Sequence, residues 1–243
     1  MKISQIFESI EESAYSQPFH ENFSEYKFYH GSERWPLQDN KINFKMREAP
    51  RNTFLAIHNA INTKAKEKFG IPIRNLLFAH GTPKRTYGRP FEIIPKGSSY
   101  RIFVSPNIYD LTTHYSLDTN IVLDQFEFFM LNGEDQSFVD DDTMFKIESH
   151  IKESGITSMN TFDEIQDTIL SYVESLVEDK ETFNIITSLL KKVLQRYEDI
   201  AMKYVDSCIE IKSNDNLTDE IHINSEFMIY APDNFYIIPN EDD

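Results

Sequence analysis

The chain has 243 residues and a formal net charge of −16. Hydrophobic residues make up 40% of it, with 19 Phe and 12 Tyr, enough for the aromatic core of one large domain or of one domain carrying an insertion. Seven Gly, one Cys and no apolar run near the roughly 18 residues that span a bilayer exclude collagen-like repeats, an internal disulfide, a CxxC metal pair and a membrane-spanning helix.

Residues 2–13 place Ile3, Ile6, Phe7 and Ile10 at helical spacing, without the apolar core of a signal peptide. With Cys208 as the lone cysteine, a reducing, cytoplasmic location is the expectation. Residues 25–30 alternate and are aromatic, the pattern of a strand that Gly31 and Ser32 end. A loop containing Trp35, Pro36 and Pro50 follows. A helix is expected from a cap at Asn52 or Thr53 to Phe69, with Phe54, Ile57, Ala60, Ile61 and Ala65 on its apolar face and Gly70 as its stop. Short apolar runs at 75–79, 91–94 and 100–104 read as strands. Residues 107–131 fit neither period. A helix is expected over 138–153, after the acidic turn Asp140–Asp142, which reads as solvated rather than metal-binding. Thr161 and Glu164 form a capping-box pattern, opening a helix that pairs with another over 182–207 as a hairpin. Strands return at 226–230 and 234–238. The expected fold is α+β: a single domain over 1–243, with 107–208 a mostly helical insertion between halves of a sheet.

Charge is unevenly spread. Residues 41–101 carry 13 Lys/Arg against 3 Glu, a net of +10, while residues 102–243 carry a net of −22. The basic segment therefore either serves a phosphate-bearing ligand or pairs with the acidic remainder. The acidic bulk argues against long nucleic acid as a partner, because phosphates are repelled.

P-loop, GxGxxG, HExxH, CxxC and GxSxG signatures are all absent. Three weaker segments remain, and each has an ordinary structural reading beside the functional one. Tyr29-His30-Gly31-Ser32 ends a strand, where a glycine lets a ligand approach and imidazole can hydrogen-bond it; it is also a common strand-to-turn junction. Residues 77–97 deliver His80-Gly81-Thr82 and then Lys84, Arg85, Tyr87 and Arg89, a set suited to a pyrophosphate and a planar ring, or to a solvated basic turn. Glu226 opens the late strand of residues 226–230, facing either a cleft or solvent.

The order of these three segments resembles the ADP-ribosyltransferases of the diphtheria-toxin and poly-ADP-ribose-polymerase branch. There a His-Gly-Thr/Ser element on an early strand, a mid-chain tyrosine and a Glu-aromatic-aliphatic-aliphatic-Tyr strand recur. The matching stretches are Tyr29-His30-Gly31-Ser32 and Glu226-Phe227-Met228-Ile229-Tyr230. Residues 47–111 are also similar to uncharacterised tailed-phage proteins, through Arg47, Pro50, Arg51, Thr53, Phe78, Gly81, Thr82, Tyr87-Gly88, Pro95, Gly97, Ser105-Pro106 and Asp110-Leu111. The chain departs from the family at His80-Gly81-Thr82, in the length of its helical block, and at Asn224, where arginine-modifying members carry a second Glu.

The resemblance implies a split β-sheet and transfer of ADP-ribose from NAD to an unknown acceptor, protein favoured over nucleic acid, or NAD glycohydrolysis. It needs no metal and no membrane. It implies Glu226, His30 and Tyr87 as the catalytic set. Around NAD it places Gly31, Ser32, His80, Gly81 and Thr82, with the pyrophosphate taken by some of Arg47, Arg51, Arg74, Lys84 and Arg85. Two other readings stand beside it. One is a non-catalytic nucleotide- or partner-binding protein using its acidic half. The other is a phage protein packaged in the virion, suggested by the protease-site-like Ile6-Phe7-Glu8.

Overall fold

The computed structural model describes residues 18–32, 41–42, 45–47, 55–115, 140–154 and 160–239. The expected helix at 2–13, Ile6-Phe7-Glu8, Trp35, Arg51, the cap at Asn52 or Thr53, and most of 107–131 lie outside them. The chain divides into two compact units, residues 1–48, 72–110 and 206–243, and residues 49–71 and 111–205.

The first unit is built on eight antiparallel strands: β1 (Tyr29–Ser32), β2 (Lys41–Ile42), β3 (Leu77–His80), β4 (Arg89–Pro95), β5 (Arg101–Ser105), β6 (Ile209–Ile211), β7 (Glu226–Tyr230) and β8 (Phe235–Pro239). They form one sheet in the order β2-β8-β4-β1-β3-β7-β5-β6. Alternation sorts the side chains. Ala79, Phe91, Ile93, Ile102, Val104, Phe227, Ile229, Phe235 and Ile237 bury themselves in one cluster with Phe19, Phe23 and Phe28. Its rings meet edge to face, Phe28 on Phe227 at 4.9 Å and Phe23 on Phe28 at 5.9 Å. The other face of β7 carries Glu226, Met228 and Tyr230, and the first two are buried as well.

One junction in this sheet is thin. β3 pairs with β7 from Leu77 to His80, and β1 pairs with β4 from Tyr29 to Ser32. β1 and β3 share a single rung, Tyr29 opposite His80. Beyond that rung the His30 imidazole meets the Phe78 carbonyl, Nδ1 to oxygen 2.6 Å, so Nδ1 carries the proton and donates.

The strand expected at 25–30 begins only at Tyr29. The cause is local: the Lys27 carbonyl accepts a hydrogen bond from His222 Nε2 at 2.7 Å instead of from a strand. The remaining expected strands appear shifted by one or two residues, and β7 has the expected limits. Sequence periodicity missed β2 and β6, which are too short to show a period. It also missed α5 (Asp219–Asn224), nucleated by Thr218, whose side chain accepts from the Ile221 amide.

The second unit is helical: α1 (Leu55–Phe69), α2 (Asp141–Glu153), α3 (Phe162–Leu176) and most of α4 (Lys180–Ser207). Asp140 caps α2 by accepting from the Thr143 amide, which lowers the carboxyl's pKa. Thr161 and Glu164 form the expected capping box at α3. The α3–α4 hairpin closes with Phe162 stacked 6.0 Å from Tyr197. His150 of α2 stacks on Tyr172 of α3 at 3.8 Å. His58 is buried on α1. No described helix is long and apolar enough to cross a membrane.

Candidate functional site

Directly opposed residues on paired strands share a face of the sheet. The register therefore lays Glu92, Tyr29, His80, Glu226 and Ser105 in one transverse row across β4, β1, β3, β7 and β5. The row gathers a phenol, an imidazole and a carboxylate on three neighbouring strands.

Glu226 sits at its centre and is buried. Its Oε2 accepts from Arg74 Nη1 at 2.8 Å, and Arg74 is buried too. Burial pushes the Glu226 carboxyl up to about 7, with Asp110 adding to the rise, against the pull of Arg74 and Arg47. Both guanidiniums lie over the Phe78 ring, Arg74 at 4.4 Å and Arg47 at 5.2 Å. The backbone at Glu226 is fixed by a turn from Ser105 to Ile108, in which Ile108 N donates to Ser105 O at 3.1 Å. Pro106 and Asn107 occupy its centre, and Asn107 takes φ +64°, a left-handed position that asparagine tolerates. The turn then accepts from the Glu226 amide through Ile108 O at 2.8 Å, and the Asn107 amide donates to Ser225 Oγ at 2.9 Å.

His80 stands beside Glu226. Burial lowers its pKa to about 4, with help from the positive charge of Arg85, so its imidazole is neutral near pH 7. Its buried Nδ1 meets no hydrogen-bond partner among the described residues.

The structure separates two residues that the sequence reading joined. Strand alternation assigns His30 to the face opposite Tyr29, His80 and Glu226, and its ring packs edge-on against buried Phe91 at 5.4 Å. His80 takes the place beside Glu226. Tyr87 stands on the turn after β3 with 82% of its surface exposed. Ser32 lies opposite Arg89 in the β1–β4 ladder. Thr82 precedes the single helical turn Pro83–Arg85, and Lys84 is exposed on it.

Gly31 and Gly81 make close approaches, to this chain's own backbone. A Cβ on Gly31 would lie 2.0 Å from the Tyr87 carbonyl oxygen, and one on Gly81 would lie 2.1 Å from that of His222. These two contacts pin the turn at 82–88 to β1 and the end of β3 to α5. Arg85 is held as a result: its Nη2 donates to Asn224 Oδ1 at 3.2 Å, and its guanidinium covers the Tyr109 ring at 4.8 Å. Asn224 is thus bound to Arg85, two residues before Glu226.

The basic segment is partly spent within the unit. Arg74 pairs with Glu226, and Arg101 grips Glu210 through two hydrogen bonds of 2.8 Å. Both carboxylates come from the acidic part of the chain. Among the described residues no cluster of His, Cys, Asp or Glu suits a metal ion. Tyr29, Ser105 and Tyr109 were not singled out as site residues by the sequence; their places follow from strand register and turn geometry, which leave no local pattern. Comparisons with family models, with curated proteins and with solved structures find no match to this chain.

Proposed function

We propose that the protein is an ADP-ribosyltransferase that uses NAD as its donor, with Glu226 as the central carboxylate. One observation carries this reading: Tyr29, His80 and Glu226 stand in one row on adjacent strands β1, β3 and β7. Those strands bear the three sequence segments whose order suggested the family. The single-rung junction between β1 and β3 fits the split sheet that such a fold entails.

In the reaction, the bond between ribose C1′ and the nicotinamide nitrogen breaks, and the electron pair leaves with nicotinamide. Positive charge builds on the ribose, and an ionised Glu226 nearby stabilises it. A lone pair of the acceptor closes the new bond to C1′, and the acceptor loses a proton. Water in the acceptor's place gives glycohydrolysis. The neutral imidazole of His80 would hydrogen-bond the bound dinucleotide, and the exposed Tyr87 ring offers a stacking face.

A second reading has its own support, because Arg74 already occupies the carboxylate of Glu226. On that reading the pair is a strut, and the protein binds a nucleotide or a basic partner without turnover. Incubation with labelled NAD at pH 8, where most of Glu226 is ionised, separates the two. The transferase reading expects nicotinamide release and label transfer by the wild type and none by Glu226→Gln. No nicotinamide release by either protein, both folded, would establish the strut.

A further inference from the structure

The corner formed by the end of β3, the turn at 83–85 and α5 holds two buried nitrogens that meet no hydrogen-bond partner among the described residues. One is Arg85 Nη1 and the other is His80 Nδ1. Arg85 is fully oriented by other contacts. Asn224 takes its Nη2, and Tyr109 lies against its flat face. Its remaining Nη1 is shielded from solvent and is a permanent, charged donor. Leaving such a donor without an acceptor costs about 1–3 kcal/mol or more. A fold that spends Gly81 on closing α5 against β3 fixes this donor rather than letting it reach water.

His80 lies close enough to Arg85 and to the Asp110 carboxylate for its imidazole to feel both charges. Arg85, a permanent cation on the helical turn that follows His80, favours an acceptor of negative charge. A carboxylate of the chain could have filled the place, as Glu226 does for Arg74 and Glu210 for Arg101. Arg85 instead meets the neutral amide of Asn224.

We propose that Arg85 Nη1 and His80 Nδ1–H together hold an oxygen of a ligand phosphate, making this corner the anion subsite of the protein. The subsite deepens the NAD reading by choosing among the basic residues of 41–101: Arg74 pairs with the Glu226 carboxylate, while Arg85 meets only a neutral amide. It rests on that reading only for the identity of the phosphate's owner, a dinucleotide.

Inorganic pyrophosphate is the probe. Calorimetric titration should give saturable binding to the wild type, weakened about tenfold or more in Arg85→Gln through loss of a charge-assisted contact. Lys212→Gln, which removes the same charge from an exposed position, should bind as the wild type does. In the wild type, pyrophosphate should also move the 15N resonance of His80 Nδ1, a readout that needs no variant to fold. No saturable binding, equal binding by Arg85→Gln and wild type, or a His80 resonance that does not move would each overturn the subsite. Saturable, Arg85-dependent pyrophosphate binding in a protein that never releases nicotinamide would sink the transferase reading and leave the subsite standing.

Discussion

His80 and Glu226 are neighbours whose ionisation is displaced in opposite senses. Glu226 has its carboxyl raised to about 7, so its contribution to stability is complete below the unfolded value near 4.5 and is lost as pH rises through 7. His80 is lowered to about 4, so its contribution is complete above 6.5 and is lost as pH falls through 4. Between pH 4.5 and 6.5 the two slopes oppose each other, each on the order of 1 kcal/mol per pH unit. The wild type should therefore show little pH dependence from this pair. Glu226→Gln should unmask His80 and gain stability as pH rises across that window. His80→Gln should unmask Glu226 and lose stability as pH rises. Arg74 stays charged throughout and does not disturb the slopes. Urea midpoints at pH 4.5, 5.5 and 6.5 measure this, and parallel profiles for all three proteins would contradict the assignment of the two pKa values.

Among the elements, those with a local signal were legible and those fixed by pairing were not. Thr161 and Glu164 announce α3 because the capping box is a contact between residues three apart. Residues 226–230 announce β7 because strong β formers run together there. The face to which His30 belongs is another matter. It depends on Tyr29 meeting His80, two residues far apart in sequence, and a register change of one residue would have put His30 in place of Tyr29 opposite His80, on the face of Glu226. The sequence shows the strands but not their register, so it could not show that His80, and not His30, stands beside Glu226. The glycines carry a similar lesson. A glycine after a strand-end histidine reads as room for a ligand, yet Gly81 makes room for the His222 carbonyl. Gly81→Ala would force a backbone apart and should cost about 1–3 kcal/mol. It should also weaken pyrophosphate binding, because α5 carries Asn224, which orients Arg85. Denaturant melts together with the calorimetric titration test both; an alanine variant as stable as the wild type would show that the close approach relaxes freely.

At the scale of the molecule, the two units draw on different parts of the chain, and neither is continuous in sequence. The sheet unit takes residues 1–48, 72–110 and 206–243, and the helical unit takes residues 49–71 and 111–205. The pattern of helical and strand segments foretold an α+β chain, and helices and an antiparallel sheet are both present. The pattern could not foretell that residues 49–71 group with the helical block, since the apolar face of α1 names no partner. Nor could net charge say how the basic segment is used: Arg74 and Arg101 answer to carboxylates of the acidic part, while Arg85 answers to an amide. The sheet's order has a mechanical consequence. Four strands lie on each side of the β1–β3 junction, and each group is zipped by several rungs within itself. Between the groups the described ladder has a single rung, Tyr29 opposite His80, beside the His30–Phe78 bridge. Such a sheet, like a book, is expected to open first along its spine, each cover keeping its own stiffness. Under hydrogen–deuterium exchange, His30→Ala should speed exchange at residues 29–32 and 77–80 ahead of β5 and β8. Uniform acceleration across all eight strands would mean that the sheet opens as one leaf.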